Sequence, residues 1–333
     1  MLPVVALLCL AVDISHSDVP YSQPQVASDG KTTGVVFGAR GRIFYATTES
    51  APVPVADAPN LALGNHRGPR LAFTASAVVV TATVAPPSAE FGPGTLRTWR
   101  STDRGATWSA GPAVSETGSG GMGFQGVASD GAKQLWATWI GPHNGHPSLY
   151  FSHSSDEGVT WTPQRVLSET VCECCHPSVA ISPNGAVHVL FRNNTGGNRD
   201  FYLATSRDGD RFDIAKLGRD SWQLDACPMD GGGLAVYGDA IVTLWRRRDQ
   251  LYVARPGGGA EEPFGPGHNA AVTLRAEGMY AVWSDGVSVM AKVPGKAPVR
   301  LAKSGGFPSL SPAGPVVAAW EDGGHIHIER LLP

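Results

Sequence analysis

Two short stretches of this chain carry the residue types most able to do chemistry. One is Cys172-Glu173-Cys174-Cys175-His176, and the other is Cys227-Pro228-Met229-Asp230. They hold four of the five cysteines and lie roughly 50 residues apart. Thiolates, imidazole and thioether are soft or borderline ligands that suit copper or zinc rather than calcium or magnesium. A closed set of three cysteines and a histidine fits structural zinc. Cys-x-Cys-Cys-His is not a zinc-finger spacing, and Met122 and Met229 tilt the expectation towards copper. Cys172, Cys174, Cys175 and Cys227 are therefore expected as thiolate ligands or bridging partners, with His176 as a nitrogen ligand and Met229 as a weak thioether ligand.

Other uses of the cysteines compete with this one. A disulfide from Cys227 to Cys172, Cys174 or Cys175 would stabilise by about 2–4 kcal/mol. The adjacent pair Cys174 and Cys175 would bridge only with strain. A redox thiol is the third reading. On an extended segment, Cys172 and Cys174 point one way and Cys175 the other.

Such distant stretches meet only if the fold brings them together. Glycine and proline are spread along the whole chain between short β-prone runs, and no amphipathic helical stretch of ten or more residues stands out. This argues all-β. One phrase recurs: a short strand, a turn, then a stronger strand ending on an aromatic. Copies open near Gln25, Pro69, Gln125, Pro177, Gly233, Ala270 and Pro308, and several second strands end on Trp139, Phe191, Trp245, Trp283 or Trp320. The spacing of about 35–55 residues is that of propeller blades. Seven copies predict a seven-bladed β-propeller, with six blades as the alternative. The last copy is short, so an N-terminal strand is expected to complete its sheet.

A second repeat lies in register with the first. Ser101-Thr102-Asp103-Arg104-Gly105-Ala106-Thr107-Trp108 is matched by Ser154-Ser155-Asp156-Glu157-Gly158-Val159-Thr160-Trp161 and by the shorter Ser206-Arg207-Asp208-Gly209-Asp210-Arg211-Phe212. Each describes a turn in which aspartate accepts backbone N–H groups, glycine takes φ > 0 and an aromatic packs between sheets. These motifs resemble the Asp-box, or BNR, repeats of the sialidase superfamily of β-propellers. The resemblance implies that the boxes at 101–108, 154–161 and 206–212 are structural and lie opposite the active face. It also makes sialidase-type glycosidase the leading class if the chain is an enzyme. Its members share an Arg-Ile-Pro segment that is absent here, so no catalytic residue is carried over.

In a propeller, the starts of the innermost strands and the connections between second and third strands open on one face. That face should gather His66, Arg67, Met122, the two cysteine stretches and His268, together with Arg192, Arg246, Asp285 and Glu321. His66, Met122 and His268 are secondary metal candidates. Asp230, Asp285 and Glu321 could supply acid and base, and Arg67, Arg192 or Arg246 could grip an acidic sugar. A glycan or protein ligand at this mouth is the expected partner.

Composition limits the rest. Charged residues make up 17% of the chain and the net charge is −3, which excludes a nucleic-acid footprint. The apolar run Met1 to Val12 has the length of a leader's hydrophobic region and is too short to span a bilayer. A leader over 1–17, export, and a single propeller over 18–333 are expected, as a monomer without stable membrane insertion. The alternative is that the first residues form a strand that helps to close the fold.

Overall fold

The computed structural model describes residues 12–14, 20–88, 92–256 and 260–333. Among them are 28 strands and no helix, and the strands form seven four-stranded antiparallel sheets. The innermost strands are Ser22–Ser28, Arg70–Phe73, Gln125–Ser129, Ser178–Ile181, Gly233–Tyr237, His268–Arg275 and Gly306–Leu310. Each touches the next, and the last touches the first, so the sheets close into a ring around a channel. Seven blades are therefore present, numbered here in chain order.

Second strands are nearly continuous apolar runs, as in Val78–Val84 and Val187–Arg192, because both their faces are covered. The recurring aromatic sits at one equivalent position. Trp139 pairs with Tyr150, Phe191 with Tyr202, Trp245 with Tyr252 and Trp320 with His327, and ring centroids in these pairs lie 5.5–5.9 Å apart. Such directly opposed rings are a unit of sheet stabilisation. In blade six, Trp283 faces Met290 instead.

Closure uses the N-terminus. Val12–Asp13 pairs with Ile328 and His327 as the outermost strand of blade seven, and Ile14 and Tyr21 are buried beside it. The leader expected over 1–17 lies mostly outside the described residues; of its described part, Val12 and Asp13 belong to this sheet and the Ile14 amide donates to Ile326 O.

The Asp-boxes join third and fourth strands. Asp103 Oδ1 accepts the Thr107 amide at 2.9 Å, and the Gly105 amide donates to Ser101 Oγ at 2.7 Å. Asp156 with Ser154, and Asp208 with Ser206, repeat the arrangement. Trp108 reaches back to Tyr45 of the preceding blade, and Phe212 to Phe151. Hydrogen bonds from Thr107 hold the Asp103 carboxyl down at about 2.

Candidate functional site

The Cys172 to Cys175 segment precedes the innermost strand of blade four. It is a turn rather than an extended strand, with the Cys175 amide directed at the Cys172 carbonyl at 3.4 Å. The Cys172 amide donates to Arg192 O at 2.8 Å, which pins the turn to the end of that blade's second strand. The expectation that Cys175 points away from its neighbours therefore does not hold. All three sulfurs converge, at 3.7 Å from Cys172 to Cys174, 3.2 Å from Cys172 to Cys175 and 4.0 Å from Cys174 to Cys175. All three residues are buried, and none is bonded to another.

The surroundings are apolar on one side and cationic on the other. Phe124, Phe151, Val171 and Phe191 belong to the same buried cluster, and Met229 packs against it. Arg199 Nη1 lies 3.4 Å from Cys172 Sγ and 2.7 Å from Glu173 Oε2. Hydrogen bonds shared with Cys174 and Cys175, and then the charge of Arg192, hold the Cys172 thiol far below its usual range. Burial pushes Cys175 up.

Cys227 does come to the same rim, but it is exposed and unbonded and stands outside the three-sulfur group. Its Sγ lies 3.3 Å from Glu173 Oε1. Partial burial, and then the hydrogen bond to Glu173, raise its pKa, while Cys174 pulls the other way. His176 does not join the sulfurs either. Its ring stacks on His66 at 4.6 Å, and Gly231 lies so close that a Cβ there would stand 2.3 Å from His176 Nδ1.

His66 and His176 belong to the channel mouth, a cavity of about 170 Å³ that Gln23, Arg70, Asn269 and Phe307 also line. Burial pushes His66 down to about 4, with Asn269 opposing and Arg70 and His268 adding to the effect. His176 is lowered by burial and then by His66 and Arg70. Gln23, His66, Met229, Asn269 and Phe307 all have φ between 51° and 65°, either at the second residue of an innermost strand or a few residues before one. This conformation costs a non-glycine residue about 1–3 kcal/mol and persists only where the surroundings fix it.

The remaining sequence candidates are scattered. Arg192 is buried, and its guanidinium donates to the carbonyls of Arg199 and Arg246 at 2.8 and 2.9 Å. Asp230 is buried against Arg246 Nε at 2.8 Å, and burial raises its carboxyl against that pull. Glu321 accepts the Gln23 amide at 2.5 Å and is raised by burial. Asp285 caps a tight turn through the Val287 and Ser288 amides, Arg67 donates to Gly64 O, and Met122 is exposed. Neither these seven candidates nor His268 lines the mouth cavity. Sequence reasoning missed Arg199 and Arg70. Arg199 sits in a second-to-third strand connection, the same class of segment that supplied the other candidates, so topology alone could have named it.

A closed ring of seven four-stranded sheets, with Asp-box turns on one face and the channel mouth on the other, defines a sialidase-like β-propeller. A family model described as a BNR repeat-like domain matches residues 48–224, more than half of the chain. The chain belongs to that family. Among solved structures, α-L-arabinanase of Penicillium chrysogenum complexed with arabinobiose is similar at 12% identity and a TM-score of 0.56, over 84% of this chain and 92% of that one. The α-L-arabinofuranosidase of Fusarium graminearum with arabinobiose is similar at 13% and 0.53, over 96% of each chain. An ulvan lyase bound to a sugar ligand is similar at 12% and 0.55, over 96% and 95%. Identities this low speak to the fold alone. No curated protein matches the chain. Among the described residues, no helix is long and apolar enough to cross a membrane.

Proposed function

We propose that this propeller binds a soft metal ion, copper(I) ahead of zinc, through Cys172, Cys174 and Cys175. The observation that carries the reading is the convergence of three buried, unbonded sulfurs within 3.2–4.0 Å of one another. Ligands about 2.3 Å from one ion stand about 3.8 Å apart in tetrahedral geometry and about 4.0 Å apart in trigonal geometry. Two of the three separations already match, and a small rotation at Cys175 opens the third. Soft thiolates select copper(I) and zinc. The guanidiniums of Arg192 and Arg199 offset charge that the thiolates acquire on losing their protons. No fourth His, Asp or Glu atom joins the group among the described residues, which favours three-coordinate copper(I) over four-coordinate zinc.

Export through a leader would place the cluster in an oxidising compartment, where a bound ion would protect the thiols. The test is metal analysis of protein purified anaerobically without chelator, beside copper(I) titration of the apoprotein. One equivalent lost in Cys174→Ser supports the site. Protein that takes up neither ion while its thiols remain reduced overturns it.

A second reading, glycan binding or cleavage at the mouth, is favoured by the cavity itself. A cavity of about 150 Å³ accepts a benzene ring, so about 170 Å³ holds one sugar ring. Glu321, raised by burial, stands behind Gln23 and outside the cavity lining, so it is the candidate acid only for a substrate that displaces Gln23. Sugar release from sialosides or other acidic glycosides, abolished in Glu321→Gln, would support it. Binding without turnover would assign a lectin-like role.

A further inference from the structure

The four thiols form a gradient from solvent to interior. Cys227 is exposed, Cys174 is 5% exposed, and Cys172 and Cys175 are fully buried. Cys174 is the least buried of the inner three. Glu173, which separates Cys172 from Cys174 in sequence, accepts from Cys227 Sγ at 3.3 Å and is itself held by Arg199 at 2.7 Å. The outer sulfur thus stands beside the turn that carries the inner three. A resident fourth ligand would be expected inside the group, and Cys227 is not.

We propose that Cys227 is the transfer thiol of this site, taking copper(I) from a donor in solution and passing it through Cys174 to the buried sulfurs. The inference builds on the metal-site reading above. It is an associative ligand exchange with no change of oxidation state. The Cys227 sulfur bonds to copper, one donor ligand leaves, and the thiol proton passes to buffer. Cys174 Sγ then bonds to the same ion, the last donor ligand leaves, and the Cys227–copper bond breaks as Cys172 and Cys175 complete the set. Cys227 regains a proton, and the two further protons released by the inner thiols go to solvent. The partner is a complex that offers copper(I) on exchangeable ligands and can reach the rim between blades four and five.

The experiment follows anaerobic loss of colour from the copper(I)–bicinchoninate complex on mixing with reduced wild-type protein, Cys227→Ser, Cys227→Ala and Cys174→Ser. Wild-type uptake should rise in proportion to protein concentration. Both Cys227 variants should reach the same final copper per protein at least about tenfold more slowly, with a rate independent of protein concentration. Cys174→Ser should lose final capacity. Cys227 variants that load as fast as wild type overturn the proposal. Variants that lose capacity as Cys174→Ser does make Cys227 a resident ligand and also overturn it. Wild-type protein that takes no copper removes the metal-site reading itself, an outcome distinct from both.

Discussion

Replacing Arg192 by methionine removes a guanidinium from the seam between blades four and five while keeping much of the side chain's volume. The group donates to Arg199 O at 2.8 Å and Arg246 O at 2.9 Å, with Asp230 O at 3.4 Å, and lies 4.2 Å from the centre of the Phe201 ring. A hydrogen bond from a charged donor contributes about 1.5–3 kcal/mol, so the two short ones together contribute about 3–6 kcal/mol. Relief of the buried charge offsets part of this, and the carbonyls left without partners add to the loss. A net destabilisation of about 3–5 kcal/mol follows, which for a chain of this size lowers Tm by on the order of 10 °C. Urea unfolding followed by tryptophan fluorescence, with a parallel thermal melt, measures it. Arg192→Lys keeps the charge without the planar fork and should recover less than half of the loss. A methionine variant within about 0.5 kcal/mol of the parent would refute the argument that this guanidinium ties the two blades.

Three further outcomes are expected. In a Cys9→Ser background, a thiol reagent should modify Cys227 first, and Cys172, Cys174 and Cys175 only on unfolding, because Cys227 alone is exposed; two fast thiols would contradict the burial order. Glu329 is pushed up to about 7 by burial, so the folded chain binds more protons than the unfolded one between the ordinary glutamate range and pH 7, and its stability falls as pH rises through that window. Glu329→Gln should therefore stabilise at pH 8 and change little at pH 4, with Tm read at both. Gly105→Ala should cost about 2–4 kcal/mol, because φ is +95° and a Cβ would stand 2.2 Å from Tyr45, whereas Gly131→Ala, at +76° in open space, should cost about 1 kcal/mol; equal losses in thermal melts would contradict the packing role of the Asp-box glycine.

The fold was legible because its cues are local. Asp-box turns close within eight residues, and the aromatic that ends a second strand meets its partner on the third strand of the same blade. Alternating strand direction then carried Cys227 to the rim where Cys172 to Cys175 stand, across more than 50 residues. What stayed hidden depended on side-chain direction. Strand periodicity assigns Cys175 to the opposite side, but the chain turns at Glu173 and Cys174 and brings its sulfur back. His176 follows Cys175 directly and looks like a ligand, yet one residue further along the backbone changes sides and meets His66. Arg192 and Arg246 read as substrate-gripping cations because a sequence cannot say whether a guanidinium meets solvent or carbonyl oxygens.

The seam between blades four and five bears on what the cysteines are for. Ser178 Oγ donates to Gly232 O, Arg192 reaches Arg246 O, Arg246 pairs with Asp230, and the Asp230 carboxylate accepts the Asn269 amide of blade six. The His176 ring fills the space above Gly231 so closely that a side chain there would displace it. These contacts tie the Cys172–His176 and Cys227–Gly232 segments together without using a single sulfur. A disulfide from Cys227 would still restrict the unfolded chain by closing a loop of more than 50 residues, but three of the four thiols face one another within a single turn, where a bridge closes almost no loop. Three sulfurs gathered where a bridge among them adds so little, beside two buried guanidiniums, favour the proposed ligand set over a framework.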